Sequence, residues 1–279
     1  MKLTVLVDNN TFIDRYFLAE PGVSYLIQEE GMNILFDVGY SDAFLCNAKA
    51  MNINLYDIDS IIISHGHMDH TWGLFYLIKY YAEAKIENIY FKKLDLIAHP
   101  WAFFPKTVSE DEEIGSIITK DTLSRHFNMK SSKDPIWITD NLVFLGEIER
   151  SNNFENINPI GKIHHNETNM DDYLMDDSAL VYKSKEGLVI ITGCSHAGIC
   201  NIIEHAKKVC GDNRIVDVIG GFHLLEPSAE ILNKICDYIK ANNVKMLHAC
   251  HCTDLKSKME LDKVCPIREV GVGLVLEYN

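Results

Sequence analysis

The stretch Ser64-His65-Gly66-His67-Met68-Asp69-His70-Thr71-Trp72-Gly73 decides how this chain is read. It follows Ile61-Ile62-Ile63, a β-branched run with the composition of a buried strand, and its His-x-His-x-Asp-His core sets four metal-ligating side chains within six positions. A loop leaving a strand can turn alternate side chains toward two ions, which a regular helix cannot do. Imidazole nitrogen and carboxylate oxygen suit zinc first, with manganese, iron or magnesium as alternatives. The stretch therefore predicts a site for two divalent metal ions at the end of a strand.

Each of two ions wants about four to six donors with an exchangeable water among them, so further ligands are needed. Three later clusters supply candidates, each just after an apolar run and thus at the strand edge where open α/β sheets place their chemistry. In Gly193-Cys194-Ser195-His196-Ala197-Gly198, after Leu188 to Ile191, His196 is a ligand candidate. Cys194 is either a ligand or a small buried residue. In Gly220-Gly221-Phe222-His223-Leu224, His223 either ligates or hydrogen-bonds beside the site. In His248-Ala249-Cys250-His251-Cys252, an odd spacing sends His248 and His251 to opposite faces of a strand, and His251, nearer the strand end, is the candidate.

Around these clusters the pattern is that of two sheets, each flanked by helices. Early strands are expected at Leu3 to Val7, Val23 to Ile27 and Ile34 to Phe36, and a hairpin at Ala179 to Ile191 around Ser184-Lys185-Glu186-Gly187. Helices are expected over Asp42 to Met51, Thr71 to Tyr81, Gly198 to Val209, Ser228 to Ala241 and Asp254 to Lys263. Residues 100–175 carry Pro, Asn and charge clusters, such as the acidic run 109–113, between brief apolar segments. They read as a less regular insertion near the site within a single domain spanning residues 1–279.

The chain has 279 residues, 47% of them hydrophobic, enough for a large core. Its net charge of −14 disfavours nucleic acid and anionic membrane as partners and favours a small molecule. Eight scattered cysteines, an apolar N-terminal run cut off at Asp8, and no stretch of membrane-spanning length point to a reduced, cytoplasmic protein.

Strand, His-x-His-x-Asp-His, helix, then distant histidines at later strand ends resembles the metallo-β-lactamase superfamily. Leu6-Val7-Asp8-Asn9, Asp176-Asp177-Ser178-Ala179-Leu180, Gly193 to Gly198, Gly220 to Leu224 and His251-Cys252-Thr253 resemble a branch of metal-dependent hydrolases that includes an archaeal dihydropterin-ribofuranosylaminobenzene phosphate synthase. The resemblance implies an α/β fold, the αββα four-layer sandwich of two mixed sheets, with metals in the cleft between them. It also implies His65, His67 and His196 around one ion and Asp69, His70 and His251 around the other, with Cys194 where many members have a bridging aspartate. Trp72 and Asp254 stand where the branch commonly has glycine, which adds bulk or charge near the site. Oxygen-reducing diiron members usually carry glutamate at the place of His67, which favours hydrolysis here.

The function expected is hydrolysis of a small ester or phosphodiester by metal-activated water. Asp69 would orient the water, and His223 or His99 would protonate the leaving group. Two alternatives stand beside it: a transferase joining a dihydropterin pyrophosphate to a ribofuranosylaminobenzene phosphate, and a non-catalytic metal-binding protein. Substrate contacts are expected from Trp101, Phe104 and Arg125, together with Phe103, Phe127 and Trp137 as stacking rings and Lys106, Lys120 and Arg150 as phosphate receivers.

Overall fold

The apolar runs pair into two mixed sheets in the computed structural model, which describes residues 1–89, 91–109, 112–165 and 168–279. The N-terminal sheet has the order Val275–Glu277, Lys2–Val7, Ser24–Glu29, Met32–Phe36, Ser60–Ile62, Asp95–Ala98, Asn128–Ser131. Its pairings are antiparallel as far as Met32–Phe36 and parallel beyond it. The C-terminal sheet runs Leu247–Cys250, Ile215–Gly221, Gly187–Thr192, Ala179–Ser184, Leu142–Phe144, Ile136–Trp137, parallel over the first three strands and antiparallel over the rest. Leu276 pairs opposite Leu3, so the last strand returns the chain to the edge of the sheet that contains the first.

Burial sorts the apolar residues into layers. Side chains from the facing sides of both sheets, among them Tyr25, Ile27, Phe36 and Ile62 with Phe144, Leu180, Val189 and Ile191, form one core. A second lies between the N-terminal sheet and the helices Ala43–Ala50 and Gly73–Ile86, and a third between the C-terminal sheet and Ile199–Cys210, Ala229–Ala241 and Leu255–Asp262. That is an αββα sandwich. The Ile199–Cys210 helix shows why its face packs: Ile199, Ile202, Ile203, Ala206 and Cys210 recur at helical spacing and are all buried, and Gly211 ends it in a left-handed turn at φ 65°.

Residues 100–175 divide between roles. Asn128–Ser131 is an edge strand of the N-terminal sheet, and Ile136–Trp137 and Leu142–Phe144 belong to the C-terminal one. Only Lys106–Thr107, Lys162–His165 and Thr168–Asp171 make a separate three-stranded sheet. The stretch is therefore not wholly an insertion, since short or polar edge strands carry little apolar signal. Glu110 and Asp111 of the acidic run lie outside the described residues. All eight cysteines are free, seven of them buried, and among the described residues no helix is long and apolar enough to cross a membrane.

Candidate metal centre

The ligand candidates leave the ends of four strands at one edge of the sandwich. After Ser60–Ile62 the chain turns through His65 and Gly66 into the short helix Met68–Thr71, where His67 is the N-cap residue and Asp69 and His70 lie in the single turn. Only glycine fits at 66: a Cβ there would stand 2.1 Å from the Ala102 carbonyl oxygen. The Gly66 N–H donates to Asp176 Oδ2 at 2.8 Å, fixing the loop between the first two histidines. Across the cleft, Ser195, His223 and His251 follow strands of the C-terminal sheet with φ of 62°, 51° and 50°, strained turns that re-aim the chain beside Cys194, His196 and His251. Gly193 lets the two halves meet, because a Cβ on it would lie 2.2 Å from Ser64 Oγ.

Two donor clusters result. His65, His67 and His196 form a triangle of rings with centroids 4.6 to 4.8 Å apart. His65 Nε2, His67 Nε2 and both ring nitrogens of His196 are buried with no hydrogen-bond partner among the described residues. Orphaned buried imidazole nitrogens are costly unless something binds them. Burial drives all three imidazoles toward the neutral form, His67 down to about 3, leaving each with a free lone pair. The second cluster is Asp69, His70, Cys194 and His251, each offering an atom within 4.8 Å of the others. Cys194 also groups with His65 and His196. Its Sγ lies 3.1 Å from His70 Nε2 and 3.1 Å from His251 Nε2, and Asp69 Oδ2 lies 3.2 Å from the latter. Burial alone would lower the His70 pKa, but the Asp69 and Asp37 carboxylates raise it to about 9, the response of a site with an excess of negative charge. Imidazoles, a carboxylate and a thiol converging with no lysine or arginine in either group fit divalent metal ions, which would displace the His70 proton on binding.

Asp37, which the sequence reading missed, orients one histidine in each cluster. Its Oδ2 accepts from His70 Nδ1 at 2.7 Å and from Ser64 Oγ at 2.7 Å, and its Oδ1 accepts from the Ser64 N–H. With its proton committed to Asp37, Ser64 Oγ accepts from His65 Nδ1 at 2.9 Å. Both histidines thus donate through Nδ1, which leaves Nε2 as the nitrogen available to the cluster. The available signal was Asp37-Val38-Gly39 directly after a strand, with Asp37 at φ 55°.

The clusters form the floor of a cavity of 580 Å³. Its walls come from Pro21, Tyr40, Met68, Val108, Ile114, Ile160 and Leu225, and His223 lines it too, its ring tilted against that of His196 at 4.3 Å and exposed toward solvent. Burial would lower the His223 pKa, but the Cys252 sulfur and the Asp177 and Asp69 carboxylates raise it.

The expected substrate contacts lie elsewhere. Trp101 packs edge-on against His99 under Lys133, Phe104 stacks on His165, and Arg125 is exposed on the Lys120–His126 helix, so none of these three lines the cavity. Phe103 and Phe127 are buried in the outer core, and Trp137 lies under Lys183. Lys106 is fully buried between Asp172 (2.9 Å) and Asp176 (2.7 Å), and Arg150 binds the carbonyls of Ile148 and Leu174. Large rings and cations suggest contact, whereas the fold buries Phe103, Phe127 and Lys106 and leaves Arg125 and Trp137 exposed away from the cavity. His99 pairs with Glu147 at 3.1 Å, His248 pairs with Asp217 at 2.8 Å, and neither lines the cavity, whereas His251 does. Trp72 backs Tyr40 at 5.0 Å and donates to the Gly115 carbonyl, while Asp254 caps the Leu255–Asp262 helix and is not in the cavity wall.

An αββα sandwich with two donor clusters between its sheet edges is the architecture of a metal-site α/β protein. The metallo-β-lactamase superfamily model matches residues 18–159, and the chain belongs to that superfamily. It is 32% identical over 272 residues to the 7,8-dihydropterin-6-methyl-4-(β-D-ribofuranosyl)-aminobenzene-5′-phosphate synthase of Methanocaldococcus jannaschii, covering 92% of this chain and 89% of that one. An uncharacterized protein of the same organism is 32% identical over 271 residues, 94% of each chain. A solved metal-dependent hydrolase of the β-lactamase superfamily superposes with a TM-score of 0.83 at 30% identity, over 99% of this chain and 98% of that one.

Proposed function

We propose that the protein is a hydrolase of small ester or phosphodiester substrates, working with two divalent metal ions, zinc first among them. His65, His67 and His196 would hold one ion and Asp69, His70 and His251 the other. Bound there, the ions supply a water acidified toward neutrality and positive charge for a developing oxyanion. Asp69, at the cavity floor and partly open to it, would orient that water. His223, which lines the cavity and has its pKa raised, would return a proton to the leaving group. The observation that carries this reading is the meeting of two donor clusters at the floor of a cavity with an apolar wall and, among the described residues, no lysine or arginine in its lining. The charge that binds and polarises the substrate then comes from the ions, and the rest of the substrate is held by apolar contact.

A second reading, transfer of a dihydropterin group to a ribofuranosylaminobenzene phosphate, is favoured by the near full-length likeness to the archaeal synthase. Tyr40, braced by Trp72, offers a planar ring such a substrate would meet. One metal-loaded sample separates the two. Metal-dependent hydrolysis of p-nitrophenyl esters, lactones or bis-p-nitrophenyl phosphate is expected, and coupling of the pterin pyrophosphate without any hydrolysis would overturn the first reading.

A further inference from the structure

We infer that the Cys194 thiolate is a ligand shared by both ions, joining the two clusters into one centre. This rests on the two-metal reading above and adds the identity of the donor between the ions. Cys194 is the one residue common to both donor groups among the described residues. His70 Nδ1 is committed to the Asp37 carboxylate and His251 Nδ1 to Asn9 Oδ1 at 2.9 Å, so Nε2 is the ring atom each turns to the cluster. Both Nε2 atoms lie 3.1 Å from Cys194 Sγ, and Asp69 Oδ2 stands in the same group. On the other side, the sulfur groups with His65 and His196, each of which has a buried Nε2 without a partner among the described residues. A thiolate at that position is within reach of an ion in either group.

The neighbouring Cys252 provides the contrast. Its Sγ lies 3.4 Å from the Cys194 carbonyl oxygen and accepts the His223 backbone N–H at 3.3 Å, and it belongs to neither cluster. A shared thiolate also narrows the metal. Soft sulfur selects zinc, iron or cobalt and disfavours magnesium, which prefers an all-oxygen shell.

The test is cobalt(II) titration of the full-length protein, followed by sulfur-to-cobalt charge-transfer absorption in the near ultraviolet and by bound cobalt per chain. The absorption is expected to grow or change shape through the second equivalent, because both ions meet the same sulfur. Cys252→Ser should keep it. Cys194→Asp, whose carboxylate can take the sulfur's place between the ions, should keep two cobalt per chain and lose the absorption. Two ions bound with no charge-transfer absorption, or an absorption complete at the first equivalent and unchanged by the second, would overturn the shared thiolate while leaving the two-metal reading intact. No cobalt uptake would overturn both.

Discussion

Asp37 shows how much of this site depends on one side chain that need touch neither metal nor substrate. Its carboxylate sets the tautomer of His70 directly and of His65 through Ser64, one histidine from each cluster. Asp37→Asn replaces an acceptor by a donor facing His70 Nδ1, and orienting partners of this kind typically govern metal affinity by about 10- to 100-fold. Zinc affinity measured by chelator competition should therefore fall by roughly that factor, with the far-ultraviolet spectrum retained; unchanged affinity would remove Asp37 from the account. His70 gives a pH test. Its folded pKa, about 9, lies above the ordinary imidazole value near 6.5, so the stability it contributes to the metal-stripped protein is fully present below about pH 6.5 and lost as pH rises through 9. Thermal unfolding of the chelated protein should show Tm falling across that window. Protein loaded with zinc should not show the fall, because the ion replaces the proton. Equal slopes for the two samples would contradict it.

At the scale of elements, the ligand loop is supported from behind by a buried ion cluster. Lys106 pairs with Asp172 and Asp176, and Asp176 in turn receives the Gly66 N–H between the two first histidines. Burial alone would lower the Lys106 pKa, but both carboxylates raise it, so the amine stays charged inside the fold. Lys106→Met leaves two carboxylates buried without their counter-ion, a loss of about 3–5 kcal/mol for pairs of this kind. Denaturant unfolding should show a loss of that size, and a change under about 1 kcal/mol would mean that the cluster contributes little. The same residues mark where sequence reading stops. Ile61-Ile62-Ile63 before a histidine loop is a local pattern, and the strand-end rule then brings His196 and His251 to the same edge. Lys106 as a buried counter-ion depends on Asp172 and Asp176, some 66 and 70 residues away, and no local pattern announces that. The wall residues Val108, Ile114 and Ile160 depend likewise on the pairing of Lys106–Thr107 with Lys162–Ile163. Trp101, Phe103, Phe104, Phe127 and Trp137 in the same stretch stand out in sequence by their size, which does not say whether a ring faces a cavity or the core. Asp37 was overlooked for a related reason: a single carboxylate after a strand has no partner at a telling spacing, and its partners Ser64 and His70 are 27 and 33 residues on.

For the molecule as a whole, the sandwich brings together pieces that would do little apart. The N-terminal half supplies His65, His67, Asp69 and His70, the C-terminal half Cys194, His196, His223 and His251, and neither cluster is complete without the other half. An overall charge of −14 surrounds this centre, which favours cation uptake and opposes long polyanions. The measurement that bears most directly on the account is the metal content of the desalted protein after loading with zinc, by elemental analysis against protein concentration. About two ions per chain are expected, falling toward one in both His67→Ala and His251→Ala and unchanged in His248→Ala. One ion or fewer in the unaltered protein, or loss of metal in His248→Ala with retention in His251→Ala, would contradict a centre built from these two clusters.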